Sequence, residues 1–430
     1  MRATHQPGAV GRDRGAWLLA AVAMCAGLVA MVAVQRGRDF LDLQVYRWGG
    51  DAVLSGADLY GATTAEIIWL PFTYPPFAGL LMAGLVWIPF TLAVGAWTAA
   101  STWALGRTLR ILLTDWRNLP ESWTTYAVPM LALACFAIQP VWSNTLYAQV
   151  NLLLMWAIVA DLLGRDRRWR GALIGVAAGI KLTPLIFIAL LVFTGRIREA
   201  INALLGFMAT VAVGVMLLPS ESKAYWTEVL WSSDRIGGVE YASNQSVNGV
   251  LARLLGEPAP TILWFLVAGA IALGVVVLAA YHWRIGDRDL AVALTGLAML
   301  LASPISWWHH WVWVIPVAVA LVRMGASRIG ANRLGPGLWW LAAVWVAVFV
   351  ARSPMWPPRQ EGREFAWSPV EQAVGNAYVW AALVLVVGLA VRAWLTRSRC
   401  RPRPDPDACH NPDPRDTPEP RRQLEPPYSS

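Results

Sequence analysis

Charge is what this sequence has least of. Of 430 residues, 14% are charged, against about a quarter in a soluble domain. No charged residue stands between Glu66 and Arg107, between Glu121 and Asp161, or between Asp289 and Arg323. Each gap exceeds the ~20 apolar residues that cross a bilayer, which excludes the soluble sheet-based folds. The gaps lack the alternating strands of about 10 residues that build a membrane barrel. Cysteine is also sparse. Cys25, Cys135, Cys400 and Cys409 show no metal spacing and no disulfide framework. There is no GxxxxGK[ST] loop for phosphates, and no cytoplasmic loop is long enough for a nucleotide-sugar domain. No internal repeat is visible.

What remains is apolar and rich in indole. Hydrophobic residues make up 57%, and 26 Trp outnumber 11 Phe and 10 Tyr. Trp favours membrane interfaces and also stacks on sugar rings. The net charge of +8 is spread over short loops, a topology signal and an attraction to membrane lipids rather than to nucleic acid. The sequence therefore predicts an all-α integral membrane protein, a polytopic bundle of roughly 12 spans. The expected spans are 15–35, 76–106, 124–139, 148–164, 171–181, 183–195, 199–219, 260–283, 289–303, 306–322, 336–352 and 377–396. Residues 76–106 fit badly: they are long enough to break at Pro89, yet charge parity asks for an odd number of crossings. Segments 171–181 and 183–195 are short, and read as a broken, re-entrant pair around Lys181 and Pro184.

Basic clusters at Arg107–Arg117, Arg165–Arg170, Arg196–Arg198, Arg284–Arg288, Arg323–Arg333 and Arg392–Arg403 are expected in the cytoplasm. That makes 1–14 a cytoplasmic N-terminus and 15–396 the membrane domain, with external loops 36–75, 220–258 and 353–376. The Pro-rich, charged stretch 397–430 is expected to be a disordered cytoplasmic tail.

The notable polar residues collect on the external side. Asp39 and Asp42 follow the first span, where a half-shielded carboxylate can accept a proton from a sugar hydroxyl. The plain alternative for either is a solvated juxtamembrane Asp or a helix N-cap, and composition alone favours it. Tyr46 and Trp48 can present aromatic faces beside them, and Tyr74 in WLPFTYPPFAG can offer a hydroxyl at a rigid loop end. Gln149 and Asn151 head a span, where such residues usually bond only the backbone. Lys181 is the single charge in its apolar stretch, a functional hypothesis by default, with snorkelling to the interface as the plain alternative. In EYASNQSVNGVLARLLG, Val247–Leu255 has helical spacing. Its cap accounts for Asn244 or Ser246, but not for all of Asn244, Gln245 and Asn248. The adjacent His309 and His310 lie among four Trp. They lack the i, i+4 spacing of a metal pair, and suit phosphate contact better than metal binding. No metal or cofactor is expected.

The ordered set FLDLQVY, LPFTYPPFA, YAQVNLLLM, GVAAGIKLTP, SNQS and LLASPISWWHHWVWVIP resembles the actinobacterial polyprenol-phosphomannose-dependent α-1,2-mannosyltransferases of glycosyltransferase family 87. The likeness is greatest to its mycobacterial phosphatidylinositol-mannoside branch. The resemblance implies the C-type integral-membrane glycosyltransferase fold and an active site on the outer face of the plasma membrane. It implies a β-linked mannosyl phosphate donor on a polyprenol and a mannosylated glycolipid acceptor. The catalytic Asp of its D-L-x-V-Y motif falls on Asp42. Chemistry then gives Lys181 and one of His309 and His310 to the leaving phosphate, and Gln149, Asn151, Asn244 and Gln245 to sugar hydroxyls. Members that branch lipomannan and lipoarabinomannan share the pattern, so either acceptor fits. This chain departs from the pattern between VYRWGG and WLPF and after SNQS. A lipid-linked-sugar transporter is the competing class. It would place polar groups at mid-depth and on both leaflets.

Overall fold

The computed structural model describes residues 8–37, 40–61, 70–114, 121–232, 235, 237–326 and 335–399. Asp39 and the stretch 400–430 lie outside the described residues. By contacts the chain separates into residues 1–386 and 387–430. The described part of the second unit is the C-terminal end of the helix Ala377–Arg399.

The regular structure of the described residues is helical, with no strand among them beyond isolated bridge residues such as the Asn244–Trp307 pair. Among the described residues, six helices are long and apolar enough to cross a membrane: Arg14–Gln35, Ile197–Leu217, Thr261–Arg284, Trp308–Ala326, Gly337–Met355 and Ala377–Leu395. Two bent pairs raise the number to eight. This corrects the expected twelve. Hydropathy counts apolar residues without seeing where a helix stops. Asn151–Leu163 has 13 residues, Ala172–Ile180 nine, Ile186–Phe193 eight and Arg288–Ala302 15. At 1.5 Å per residue none reaches the ~30 Å of a hydrocarbon core. The helix Arg288–Ala302 is buried along most of its length, so its apolarity serves protein packing.

Residues 76–106 do break at Pro89: Pro76–Leu85 and Phe90–Thr114 meet at 116°. The pair Thr124–Ala137 and Gln139–Tyr147 is bent by 85°, with Pro140 in the first turn of the second helix. Proline cannot continue the preceding helix, and its fixed φ suits a new start. Elsewhere the helices turn large apolar side chains outward. Trp17, Ile262, Met216 and Val384 are all more than two-thirds exposed, as expected of a lipid-facing surface.

The helix Leu41–Ser55 lies outside the candidate spans and carries Asp42 in its first turn. Two glycines seat it. A Cβ on Gly49 would lie 2.4 Å from the Phe72 ring, and one on Gly50 would lie 2.6 Å from the Met82 carbonyl oxygen. Only glycine permits this approach. Val45, Ala52, Leu59, Tyr60, Phe72 and Tyr225 close into one buried cluster beneath it.

Candidate active site

Three chain breaks bring the site residues to one place. The helix Leu41–Ser55 starts from Phe40, a buried non-glycine held at φ 40°, a conformation that costs ~1 kcal/mol or more. Ala148, at φ 56°, ends the helix Gln139–Tyr147 and turns the chain onto Gln149. Lys181 is extended and ends the helix Ala172–Ile180. Thr183–Leu185 then forms a 3-10 turn before Ile186–Phe193, the helix break the sequence suggests around Lys181 and Pro184. The histidines lie in the 3-10 helix Trp308–Trp313.

One hydrogen-bonded network joins most of these residues. The Tyr46 hydroxyl donates to Gln149 Oε1 at 3.2 Å and stands 3.2 Å from the Tyr74 hydroxyl. The Tyr46 ring packs edge-on against Tyr74 and tilted against Trp97. Asn151 Nδ2 donates to the His309 carbonyl at 3.2 Å and to Asn144 Oδ1 at 3.2 Å. Asn144 Nδ2 in turn holds the Gln149 carbonyl at 3.1 Å. Lys181 Nζ donates to Asn151 Oδ1 at 3.1 Å and lies 3.1 Å from His310 Nε2. A protonated amine has no acceptor capacity, so with Lys181 charged the Nε2 facing it is the acceptor and the His310 proton belongs on Nδ1. A cavity of about 20 Å³ opens beside this pair, lined by Asn151, Lys181, Ser303, Ser306 and His310 among others.

Asp42 faces the same network. Burial raises its carboxyl from the usual range to about 6, and a hydrogen bond from Gln149 and the Lys181 charge pull it partly back. It keeps some solvent access, as a group that takes and releases a proton requires. Burial also pushes the Tyr46 and Tyr74 phenols above their ordinary range, so both remain neutral. No group of three metal-ligating side chains occurs among the described residues.

Two candidates are placed differently. Asn244 and Gln245 are fully buried. Asn244 accepts from the Ser306 amide at 2.9 Å and donates to the Val239 and Pro304 carbonyls. Gln245 donates to the Ala242 and Gly375 carbonyls at 2.8 and 2.7 Å, while its Oε1 has no partner among the described residues. Most of their polar atoms join loops, and Gln245 Oε1 is left over. Ser246, not Asn244, caps the helix Val247–Leu255, accepting from the Gly249 amide at 3.1 Å. His309 touches the site through its backbone. Its ring stacks edge-on between Tyr147 and His310, and both ring nitrogens lack a partner among the described residues.

Asn144 and Trp97 escape a sequence reading. Trp97 Nε1 reaches the Gln149 carbonyl at 3.5 Å, yet it is one of 26 Trp and nothing local sets it apart. Beside it runs an apolar groove of about 360 Å³, lined by Trp97, Val150, Leu154, Ala157, Ala177 and Ile180 among others.

A half-buried carboxylate within electrostatic reach of a lysine that meets a histidine, with an apolar groove nearby on Trp97 and Val150, suits transfer chemistry on a lipid-linked substrate. Residues 72–304 match glycosyltransferase family 87. The chain is 36% identical over 385 residues to the Mycolicibacterium smegmatis polyprenol-phosphate-mannose-dependent α-(1-2)-phosphatidylinositol mannoside mannosyltransferase, covering 81% of this chain and 83% of that protein. It is 33% identical to the Mycobacterium tuberculosis protein of the same description, over 89% of this chain and 92% of that one. A Mycobacterium tuberculosis phosphatidylinositol pentamannoside mannosyltransferase of the same donor dependence is 35% identical, over 91% and 90%. No solved structure matches. The chain belongs to glycosyltransferase family 87. Family membership sets aside the transporter reading.

Proposed function

We propose that this protein moves mannose from polyprenol phosphate mannose to a mannosylated phosphatidylinositol glycolipid, forming an α-1,2 bond with inversion. The names of its relatives supply the donor and acceptor classes. The observation that carries the mechanism is the placement of Asp42. Its carboxylate accepts from Gln149 and lies within electrostatic reach of both Lys181 and the Tyr74 hydroxyl. Asp42 takes the proton from the acceptor 2-hydroxyl as that oxygen forms a bond to C1 of mannose. The bond from C1 to the phosphate oxygen breaks, and its electrons leave with the polyprenyl phosphate. Negative charge grows on that phosphate in the transition state. The Lys181 ammonium, with its proton donors beside His310, lowers the barrier there. Tyr46, Tyr74, Gln149 and Asn151 offer the hydroxyl and amide groups that hold sugar hydroxyls.

The donor phosphate is bonded directly to the transferred sugar, so the polyprenyl chain must begin at the reacting centre. The groove beside Trp97, Val150 and Ile180 is the apolar space for it. In this reading the site lies on the outer face of the plasma membrane, on the C-type framework. Arg165–Arg170 follow the far end of the helix that Asn151 begins. Arg170 also precedes the helix that Lys181 ends. With those arginines cytoplasmic, the reacting groups face out, and external labelling of Arg167→Cys in intact cells would contradict the orientation.

The test is an assay of purified protein with polyprenyl phosphate mannose and a series of phosphatidylinositol mannosides. The expected product carries one further mannose released by an α-1,2-specific mannosidase. Turnover of the donor with none of these acceptors would refute the proposal.

A further inference from the structure

Arg253 lies far from Lys181 in sequence, on the helix Val247–Leu255. It is 1% exposed. Burying a guanidinium is costly unless its donors are met, and here four acceptors meet them. Nε donates to Asn376 Oδ1 at 2.8 Å. One terminal nitrogen donates to the Glu240 and Tyr241 carbonyls, both at 3.0 Å, and the other to the Asn244 carbonyl at 2.9 Å. The Trp367 ring covers its face at 5.4 Å. Glu364 and Glu240 supply the nearby negative charge, and Glu364 itself accepts from the Ala242 amide at 3.2 Å. The arginine therefore grips the backbone of 240–244 and the residue that ends the loop 353–376.

That backbone holds the histidine segment. The Gln245 amide donates to the Ser306 carbonyl at 2.8 Å, and the Trp308 amide donates to the Ser243 carbonyl at 2.8 Å. Asn244 closes the same junction through the Ser306 amide and the Pro304 carbonyl. Two residues beyond Trp308 stands His310, whose amide bonds the Trp307 carbonyl at 2.7 Å and whose ring meets Lys181.

We infer that Arg253 is a positioning residue for the phosphate side of the site: through the 243–245 and 306–308 junction it sets His310 against Lys181. The inference rests on the proposed assignment of Lys181 and His310 to the donor phosphate. It also gives Asn244 a role as the link in that junction.

The test is direct binding of farnesyl phosphate to the purified full chain, with thermal unfolding followed alongside. Arg253→Lys keeps the charge but loses the planar fork that spans several acceptors. It is expected to weaken binding about tenfold, the scale of one charge-assisted hydrogen bond. His310→Ala should weaken it as well. Residues acting as one unit are non-additive, so the double variant should bind within about twofold of His310→Ala. Asn244→Ala leaves Arg253 intact and should behave the same way, which covers an Arg253→Lys protein that fails to fold. Wild-type affinity in both the Arg253 and Asn244 variants overturns the inference. So does an Arg253→Lys penalty that recurs in full beside His310→Ala. Wild-type affinity in His310→Ala alone removes the phosphate assignment, and the inference with it.

Discussion

At Asp42 the reaction needs a carboxylate that is ionised and still basic. A carboxyl held at about 6 meets both conditions near neutral pH. Asp42→Asn keeps the shape and removes the proton acceptor, so turnover should fall about 10²–10⁴-fold. More than a tenth of the activity remaining would exclude Asp42 as the base. The rate should rise with pH through about 6, because only the ionised form accepts a proton. Gln149 and Lys181 both lower this pKa. Gln149→Leu or Lys181→Met should therefore move the acidic limb of the rate profile to higher pH. A limb that stays in place or moves down would contradict the network. Lys181→Met should also lower kcat more than it weakens donor binding, since the phosphate gains charge in the transition state.

At the scale of elements, the motif pieces are legible because each is a chain break that the sequence announces: FLDLQVY at a helix start, IKLTP at a helix end, WWHH in a 3-10 turn. What brings them together is not written locally. Tyr46 and Tyr74 meet across 28 residues and Lys181 and His310 across 129. Asn244 and Gln245 stand out for a related reason: polar amides in an apolar chain are conspicuous, while the loop carbonyls they bond lie up to 130 residues away. The close seats of Gly49 and Gly50 are not legible in the sequence either, because their partners Phe72 and Met82 lie more than 20 residues away. Gly50→Ala would drive a methyl onto the Met82 backbone, which cannot rotate away. Overpacking of this kind costs about 1–3 kcal/mol, and a shift of the helix Leu41–Ser55 would carry Asp42 out of reach of the acceptor. The variant should unfold at lower temperature and lose most of its turnover. Wild-type melting together with wild-type activity would show that the seat is not tight.

For the whole molecule, hydropathy identifies a membrane protein but overcounts its spans, because a helix packed inside the bundle is as apolar as one facing lipid. The short helices Asn151–Leu163 and Ala172–Ile180 show what that apolarity serves here. Each ends or begins at a site residue, and both line the groove of about 360 Å³. If the groove holds the donor's polyprenyl chain, blocking it must matter in proportion to the length of that chain. Ala157 is half-buried in its wall, and Ala157→Trp would fill space there without touching Asp42, Lys181 or His310. Fully burying an apolar side chain is worth ~1.5–3 kcal/mol, and loss of comparable prenyl contact corresponds to about 10–100-fold in affinity. The variant should therefore raise KM for a long-chain polyprenyl phosphate mannose by at least about tenfold. With a donor carrying two or three isoprene units, which barely enters the groove, it should match the wild type. Equal losses with both donors would mean that the substitution acts on the reacting centre. Equal retention with both would place the chain elsewhere on the bundle.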